Sequence, residues 1–297
     1  MKSKLTIILA FLAVYIFWGG TYVGMKIALG SFNPFVMASI RHLSAGLILF
    51  TISRFRKDPL PTWIELKNSA IVGILLLCIG NGLVAYAEKT VPSSIASLIV
   101  ASVPLWMTLL NWMGHDKEKP SLVHILGLSL GIIGIILLVS QGSSDKTTGY
   151  DIIGMLLLCV AALAWATGSM YARKSNIPKA ALVNVSTQML AGGSTLLVFS
   201  LLTGQWNTIN PSMISTNALW AVAYLIIFGS IVGYTAYIWL MQHVHPTWVS
   251  TYAFVNPVVA VILGWILLKE TLHLQSLLSA LIIVVAVSLI TLAKKTR

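Results

Sequence analysis

Apolar residues run along this chain in stretches of about 20, each closed by a short break carrying Gly, Pro or charge. A helix rises about 1.5 Å per residue, so about 20 residues cross the roughly 30 Å hydrocarbon layer of a bilayer. On that ruler the pattern predicts ten membrane-spanning helices, starting near Leu5, Pro34, Lys67, Pro92, Leu122, Tyr150, Pro178, Asn217, Thr247 and His273. The longest breaks, Arg54 to Glu65, Gln141 to Gly149 and Thr203 to Thr216, are too short to hold a soluble domain. Lys2 and Lys4 ahead of the first run resemble the start of a signal peptide. The run continues through Trp18 to Leu29 without a small-residue cleavage site, so it reads as the first span.

Composition narrows the class to an all-α membrane protein. Of 297 residues 57% are apolar and 9% charged, with a mean hydropathy of +0.89, whereas soluble domains carry about a quarter charged residues. Disordered, nucleic-acid-binding and disulfide-framed secreted classes are excluded, and the lipid bilayer is the chain's solvent. Cys78 and Cys159 lie deep in apolar runs and read as small packing residues, with no disulfide, metal site or cofactor indicated.

The net charge of +11 is an orientation signal, because Lys and Arg are concentrated in the breaks. With the N-terminus inside, 14 of the 19 basic residues fall on inner segments, at Lys2 to Lys4, Arg54 to Lys67, Lys117 to Lys119, Arg173 to Lys179 and Lys294 to Arg297. Lys89, Lys146 and Lys269 fall on outer segments, while Lys26 and Arg41 stay within spans. The bias predicts a multi-pass protein of the inner (cell) membrane with both termini in the cytoplasm.

Laid against itself, the chain shows a repeat. At a shift of 147, Trp18 meets Trp165, Lys26 meets Arg173, and Arg41 to Gly46 meets Gln188 to Gly193. Farther on, Pro92 meets Pro246, Pro104 meets Pro257 and Glu118 meets Glu270. Residues 1–145 and 146–297 thus read as two halves of five spans. Because five is odd, the second half enters the membrane inverted, an architecture common among secondary transporters.

Pro104 and Pro257 mark the most informative level. Pro104 lies about 18 Å into the fourth span and Pro257 about 15 Å into the ninth, near the midplane from either side. Proline lacks an N–H and clashes with the carbonyl four residues back, so the carbonyls of Val100 and Ala253 are expected to be freed and the helices kinked. Interrupted helices at matching places in two inverted halves point to a gated substrate site between them.

Around that level the side chains are aromatic and amide rather than charged. Trp18, Tyr22 and Lys26 share one face of the first span, and Gly20 and Gly24 form a G-x-x-x-G suited to close packing beside it. Trp165 is the repeat mate of Trp18, and Asn81, Trp106, Tyr237, Tyr252 and Asn256 add polar-tipped groups. Each is a candidate substrate-binding residue, the alternative being an interfacial anchor or a satisfied core residue. Arg41, about 10 Å deep, is either a structural anchor for helix-end carbonyls or a group that attracts an anion. Lys26 and Glu88 read as snorkelling boundary residues. No acidic residue falls at mid-span, so the chain offers no obvious carrier for protons through a buried carboxylate. Gly127-Leu-Ser-Leu-Gly131 fits a hydrolase nucleophile motif only in isolation, since it lies within a span and reads there as a packing surface. No nucleotide-binding G-x-x-x-x-G-K-[ST] string occurs.

Trp18-Gly-Gly-Thr21, Pro34 and Arg41 in the second span, the Pro92 to Pro104 stretch, and Pro257 followed by Glu270 together resemble the EamA-type branch of the drug/metabolite transporter superfamily. The resemblance implies an inner-membrane permease that exports amino acids, their relatives or other small metabolites, with a cavity including spans 3, 4, 8 and 9. Small multidrug members carry a coupling glutamate in their first span, which this chain lacks. The leading reading is a secondary transporter or facilitator exporting a small amphipathic metabolite, amino-acid-like or drug-like, by alternating access. A membrane-embedded enzyme or lipid-handling protein is the alternative, and it would need a His, Cys or carboxylate cluster that the sequence does not show. The expected partners are a small-molecule substrate and the bilayer, with no nucleic acid and with the oligomeric state open.

Overall fold

The computed structural model describes residues 4–113, 122–144, 151–244, 249, 251–270 and 274–292. Among these residues the chain is helical, with no strand. Seven helices are long and apolar enough to cross a membrane: α1 (Lys4–Ala28), α2 (Pro34–Phe55), α3 (Trp63–Ala87), α4 (Ser93–Met113), α6 (Ile152–Lys174), α7 (Ala181–Leu202) and α8 (Thr216–His243). Three further apolar helices are α5 (Leu122–Ser144), α9 (Tyr252–Leu268) and α10 (Leu274–Leu292), and two short 3₁₀ turns, Gln205–Thr208 and Pro211–Met213, lie between α7 and α8. The starts expected at Tyr150, Thr247 and His273, the repeat mates Glu118 and Pro246, and the basic residues Lys2, Lys117, Lys119, Lys146, Lys294, Lys295 and Arg297 lie outside the described residues.

Local signals set several boundaries. Thr62 and Glu65 close a reciprocal capping box at the start of α3. Asp151 and Ser215 cap α6 and α8 by accepting from backbone N–H groups, and Pro34 occupies the first turn of α2, where its missing N–H is harmless. Large apolar side chains left on the outside, Leu47, Ile136, Ile153, Trp220 and Trp265 among them, suit contact with lipid.

The helices pair in a pattern that survives exchange of the first five with the last five. Helix α2 packs along α7, and α5 along α10; α3 meets α6 and α7 as α8 meets α1 and α2; α4 touches α6 as α9 touches α1. Glycines allow the closest of these approaches. A Cβ on Gly19 would lie 2.6 Å from Val259 of α9, and one on Gly73 would strike the backbone carbonyl of Gln188 on α7. The Gly20–Gly24 face abuts Tyr224 and Leu225 of α8, which leaves Trp18 and Tyr22 for the interior.

Two details depart from uniform α-helix. Stretches of π-helix occupy Ala13–Trp18 in α1, Ile74–Asn81 in α3 and Leu225–Tyr234 in α8. The two prolines also behave differently. Helix α4 stops at Val100 and restarts at Val103, so Pro104 sits in a first turn, while Pro257 lies inside the continuous α9.

Hydrogen bonds between connections define the two ends of the bundle. At one, Lys26 Nζ donates to the carbonyls of Glu88 and Val91, Asn33 Nδ2 to that of Gln205 (2.8 Å), and Thr90 Oγ1 to Asp151 (3.0 Å). At the other, Asn68 donates to the carbonyl of Asn176 (2.8 Å) and accepts from Tyr171 (2.9 Å). These are called here the Lys26 end and the Asn68 end.

Candidate substrate cavity

A cavity of about 690 Å³, its mouth included, lies between the helices. It takes Trp18, Thr21, Tyr22 and Met25 from α1, Arg41 and His42 from α2, Asn81 and Val84 from α3, Trp165 from α6, Ser230 and Tyr234 from α8, and Tyr252 and Asn256 from α9. No residue in its wall belongs to the exposed surface.

Arg41 is 3% exposed and is held by two neutral groups. Its Nε donates to Ser230 Oγ at 2.8 Å and its Nη1 to Asn81 Oδ1 at 3.2 Å. A guanidinium carries five N–H donors in a planar fork, so these two bonds fix its plane and leave further donors for the cavity. Gly229 beside it has no side chain, and a Cβ there would lie 3.0 Å from Nη2. Two neighbours in the wall add polar atoms: the ring nitrogens of His42, beside Asn81, and the indole N–H of Trp165, beside Tyr237 and Tyr252, none of them in a hydrogen bond of full geometry. Buried polar groups cost free energy unless they find partners.

Beneath Arg41, toward the Asn68 end, five rings form a layer. Trp18 meets Tyr237 at 5.0 Å between centroids, Tyr252 at 5.5 Å and Trp165 at 5.7 Å, the last two edge to face. Tyr234 closes the group, 6.2 Å from Trp18. Trp18 Nε1 donates to the carbonyl of Gly229 (3.0 Å) within the π stretch of α8, so α1 and α8 are tied at this level. A second cavity of about 800 Å³, its mouth included, lies on the other side of the rings, lined by Ser169, Asn184, Tyr234 and Tyr237 and edged by the exposed Arg173 and Gln242. Tyr234 faces both cavities.

Of the residues singled out from sequence, Trp18, Tyr22, Arg41, Asn81, Trp165, Tyr252 and Asn256 line the first cavity. Tyr237 lines the second and packs at a tilt against Trp18. Trp106 lines neither cavity: it donates to Ser102 Oγ (3.2 Å) and packs with Val103, Ala162 and Ala166 between α4 and α6. The Asn256 amide, in the orientation its surroundings satisfy, donates to the carbonyls of Tyr15 (3.2 Å) and Tyr252 (3.3 Å), joining α9 to α1. Pro104 and Pro257 are both buried, beside the cavity but not in its lining.

Sequence reasoning passed over His42, Thr21, Ser230 and Tyr234. His42 was detectable as the direct neighbour of Arg41, and Ser230 and Tyr234 as an i, i+4 pair. The snorkelling read for Glu88 is corrected. Its side chain is fully buried, because Lys26 turns inward onto the carbonyls of Glu88 and Val91 instead of leading toward water. At the same end Glu270 Oε1 accepts from the N–H and hydroxyl of Ser93 (both 2.8 Å), and Oε2 from the N–H (3.0 Å) and hydroxyl (2.6 Å) of Ser94. This carboxylate clasps the start of α4 to the end of α9.

The sequence model of the EamA-like transporter family matches this chain twice, over residues 5–140 and again over 152–292. The chain belongs to the EamA-like transporter family. Among curated relatives of this EamA-like protein, the Escherichia coli (strain K12) protein YedA, described as an uncharacterized inner membrane transporter, is 38% identical over 286 residues, covering 96% of this chain and 90% of that one. The Bacillus subtilis (strain 168) transporter YvbV, also described as uncharacterized, is 28% identical over all of this chain and 94% of its own. A chloroplastic WAT1-related protein of Arabidopsis thaliana is 29% identical over 93% of this chain and 67% of its own. A crystal structure at 16% identity superposes with a TM-score of 0.64, covering 97% of this chain and 96% of its own, and so shares the fold. A transporter is the class these matches give.

Proposed function

We propose that this protein is an inner-membrane exporter of small amphipathic solutes bearing a carboxylate, amino acids or their relatives, which it binds at Arg41 and moves by alternating access. The observation that carries the reading is the polar equipment of the first cavity. Arg41 has neutral partners and spare donors, His42 and Trp165 add ring nitrogens beside it, and the remaining wall is ring and aliphatic. A guanidinium fork suits a carboxylate, while Trp18, Trp165 and Tyr252 suit an apolar body. Asn81 serves by holding Arg41, Tyr22 and Asn256 shape the wall, and Tyr237 and Tyr234 belong to the gate between the two cavities.

The architecture behind this reading is ten spans in two inverted halves. The double match to one family model, the exchange symmetry of helix pairings and the odd number of helices in each half support it. Arg54, Arg56, Lys57, Lys67, Arg173, Lys174 and Lys179 cluster at or near the Asn68 end, which supports a cytoplasmic orientation for that end. The second cavity is then a vestibule on the cytoplasmic side, the side from which an exported solute enters. The α4 break near Pro104 and the proline-containing α9 are the moving parts, with inner-membrane placement supported by the name given to the YedA relative.

Counterflow into proteoliposomes tests the proposal, with labelled L-phenylalanine compared against 2-phenylethylamine, which keeps the ring and amine but lacks the carboxylate. Exchange of the amino acid and not of the amine is expected, and loss of that exchange in Arg41→Gln. Equal exchange of both compounds would remove Arg41 as the carboxylate anchor.

A further inference from the structure

Glu88 is the one carboxylate among the described residues that is both fully buried and without a hydrogen-bond partner for either oxygen. It follows the last turn of α3, seven residues beyond Asn81 and four beyond Val84, on the stripe that faces the cavity and about 10 Å along the helix from Asn81. The charged and titratable groups around it are Lys26 and Tyr22 of α1, Arg41 of α2, and Glu270 beyond α9. None of them bonds the Glu88 carboxylate. The Lys26 ammonium is turned to backbone carbonyls, and Arg41 to Ser230 and Asn81. The Glu270 carboxylate is fully engaged with Ser93 and Ser94, five and six residues on from Glu88.

A carboxylate with four lone-pair sites and no donor is costly to bury as an anion, whereas the neutral acid is tolerated. Lys26 and Arg41 nearby make the anion reachable, so the site can hold either form as its surroundings change. The Glu270 clasp lies beside it. Glu270 reaches Ser93 and Ser94 because Lys269 adopts a left-handed conformation (φ 56°) and Gly264 leaves space, a Cβ there coming 2.8 Å from Glu270 Oε2. Movement of α9 against α4 would break these four hydrogen bonds at once, beside the segment that carries Glu88.

We propose that Glu88 is a proton-binding site of this transporter, protonated while the Glu270 clasp is closed and able to exchange its proton with water at the Lys26 end when the clasp opens. The proposal rests on the transporter reading above and adds its driving gradient. One proton is released to water as the carboxylic acid becomes carboxylate and is taken back as the site closes, with no other bond made or broken. A carboxylate at the end of α3 thereby supplies what no mid-span residue does.

Two measurements on the full chain in proteoliposomes test it separately from substrate choice. In infrared difference spectra between acid and alkaline pH, the wild type should show the carbonyl stretch of a buried, weakly hydrogen-bonded carboxylic acid, and Glu88→Gln should lack that component while Glu270→Gln keeps it. Glu88→Asp, which retains the acid on a shorter arm, should shift the band. A Glu88→Gln spectrum identical to wild type, or Glu88→Asp superimposable on it should the glutamine variant fail to fold, would overturn the proposal. With L-phenylalanine as probe, an imposed pH gradient should drive accumulation in the wild type only. Glu88→Gln should still exchange labelled for unlabelled phenylalanine but equilibrate at a ratio near one. Gradient-driven accumulation by Glu88→Gln would equally overturn it. Absence of phenylalanine transport in both proteins would count against the substrate reading and leave the infrared result to decide the proton site.

Discussion

Arg41 on α2 and Gln188 on α7 occupy corresponding places in the proposed repeat, yet one is open and the other closed. Gln188 is 0% exposed and spends both ends of its amide: Oε1 accepts from the Tyr234 hydroxyl, and Nε2 donates to Asn184 Oδ1 at 2.7 Å, which also accepts from Ser69 of α3 at 3.2 Å. Arg41 likewise reaches α8 and α3, through Ser230 and Asn81, but keeps donors facing a cavity. Both halves therefore put a polar anchor at the same crossing of helices. The paired anchor holds helices together; the one with spare donors can hold a ligand.

Four substitutions can break or sharpen that contrast. The largest effect is expected for Arg41→Gln, which makes the open site resemble its closed counterpart. Loss of a charge-assisted contact should weaken L-phenylalanine binding about 100-fold, measured by scintillation proximity, with no loss of thermal stability because a buried charge is removed. Retained affinity would erase the distinction between the halves. Next is Gly73→Val, whose side chain would strike the Gln188 backbone. Overpacking there should cost about 2 kcal/mol, read as a lower unfolding midpoint in detergent, and an unchanged midpoint would show that the α3–α7 crossing can yield.

Tyr234→Phe should destabilise by about 1 kcal/mol by leaving the Gln188 carbonyl without its donor, with little change in affinity. A larger change in affinity than in stability would move Tyr234 from the closed anchor to the open one. The smallest effect is expected from Trp165→Phe. Its indole N–H makes no hydrogen bond of full geometry within the protein, so phenylalanine affinity should fall about 3-fold with little change in unfolding midpoint.

How much of this was readable in the sequence depends on the distance over which each feature is decided. Helix starts were legible where a roughly 20-residue apolar run opens at a proline, as at Pro34 and Pro92, whereas α3 begins at Trp63, ahead of the expected Lys67, because its Thr62–Glu65 capping box lies within the polar break. Seven of the eleven singled-out residues line one cavity because Trp18, Tyr22, Asn81 and Asn256 are polar-tipped groups in apolar helices, which must turn inward. Tyr237, itself in the ring layer, lines the second cavity and not the first partly because the π stretch Leu225–Tyr234 shifts the phase of α8, so that α-helical spacing across it misplaces the face. Pro104 and Pro257 were read as equivalent kinks, but only α4 restarts just before its proline. The depth of Glu88 was illegible because it is set by Lys26, 62 residues away, turning inward.

The ring layer has an electrical consequence. A cavity edged by the exposed Arg173 and Gln242 brings the solution on that side up to Tyr237, so the transmembrane voltage falls over the rings and the helices beyond them instead of over the whole thickness of the bilayer. Moving one elementary charge through that voltage involves about 2.3 kcal/mol per 100 mV. A zwitterion passing Trp18 and Tyr237 carries no net charge through this field, whereas an anion does. In Glu88→Gln, where no proposed proton movement adds to the charge carried, a membrane potential applied with potassium and valinomycin will therefore separate the two kinds of solute by the current each produces.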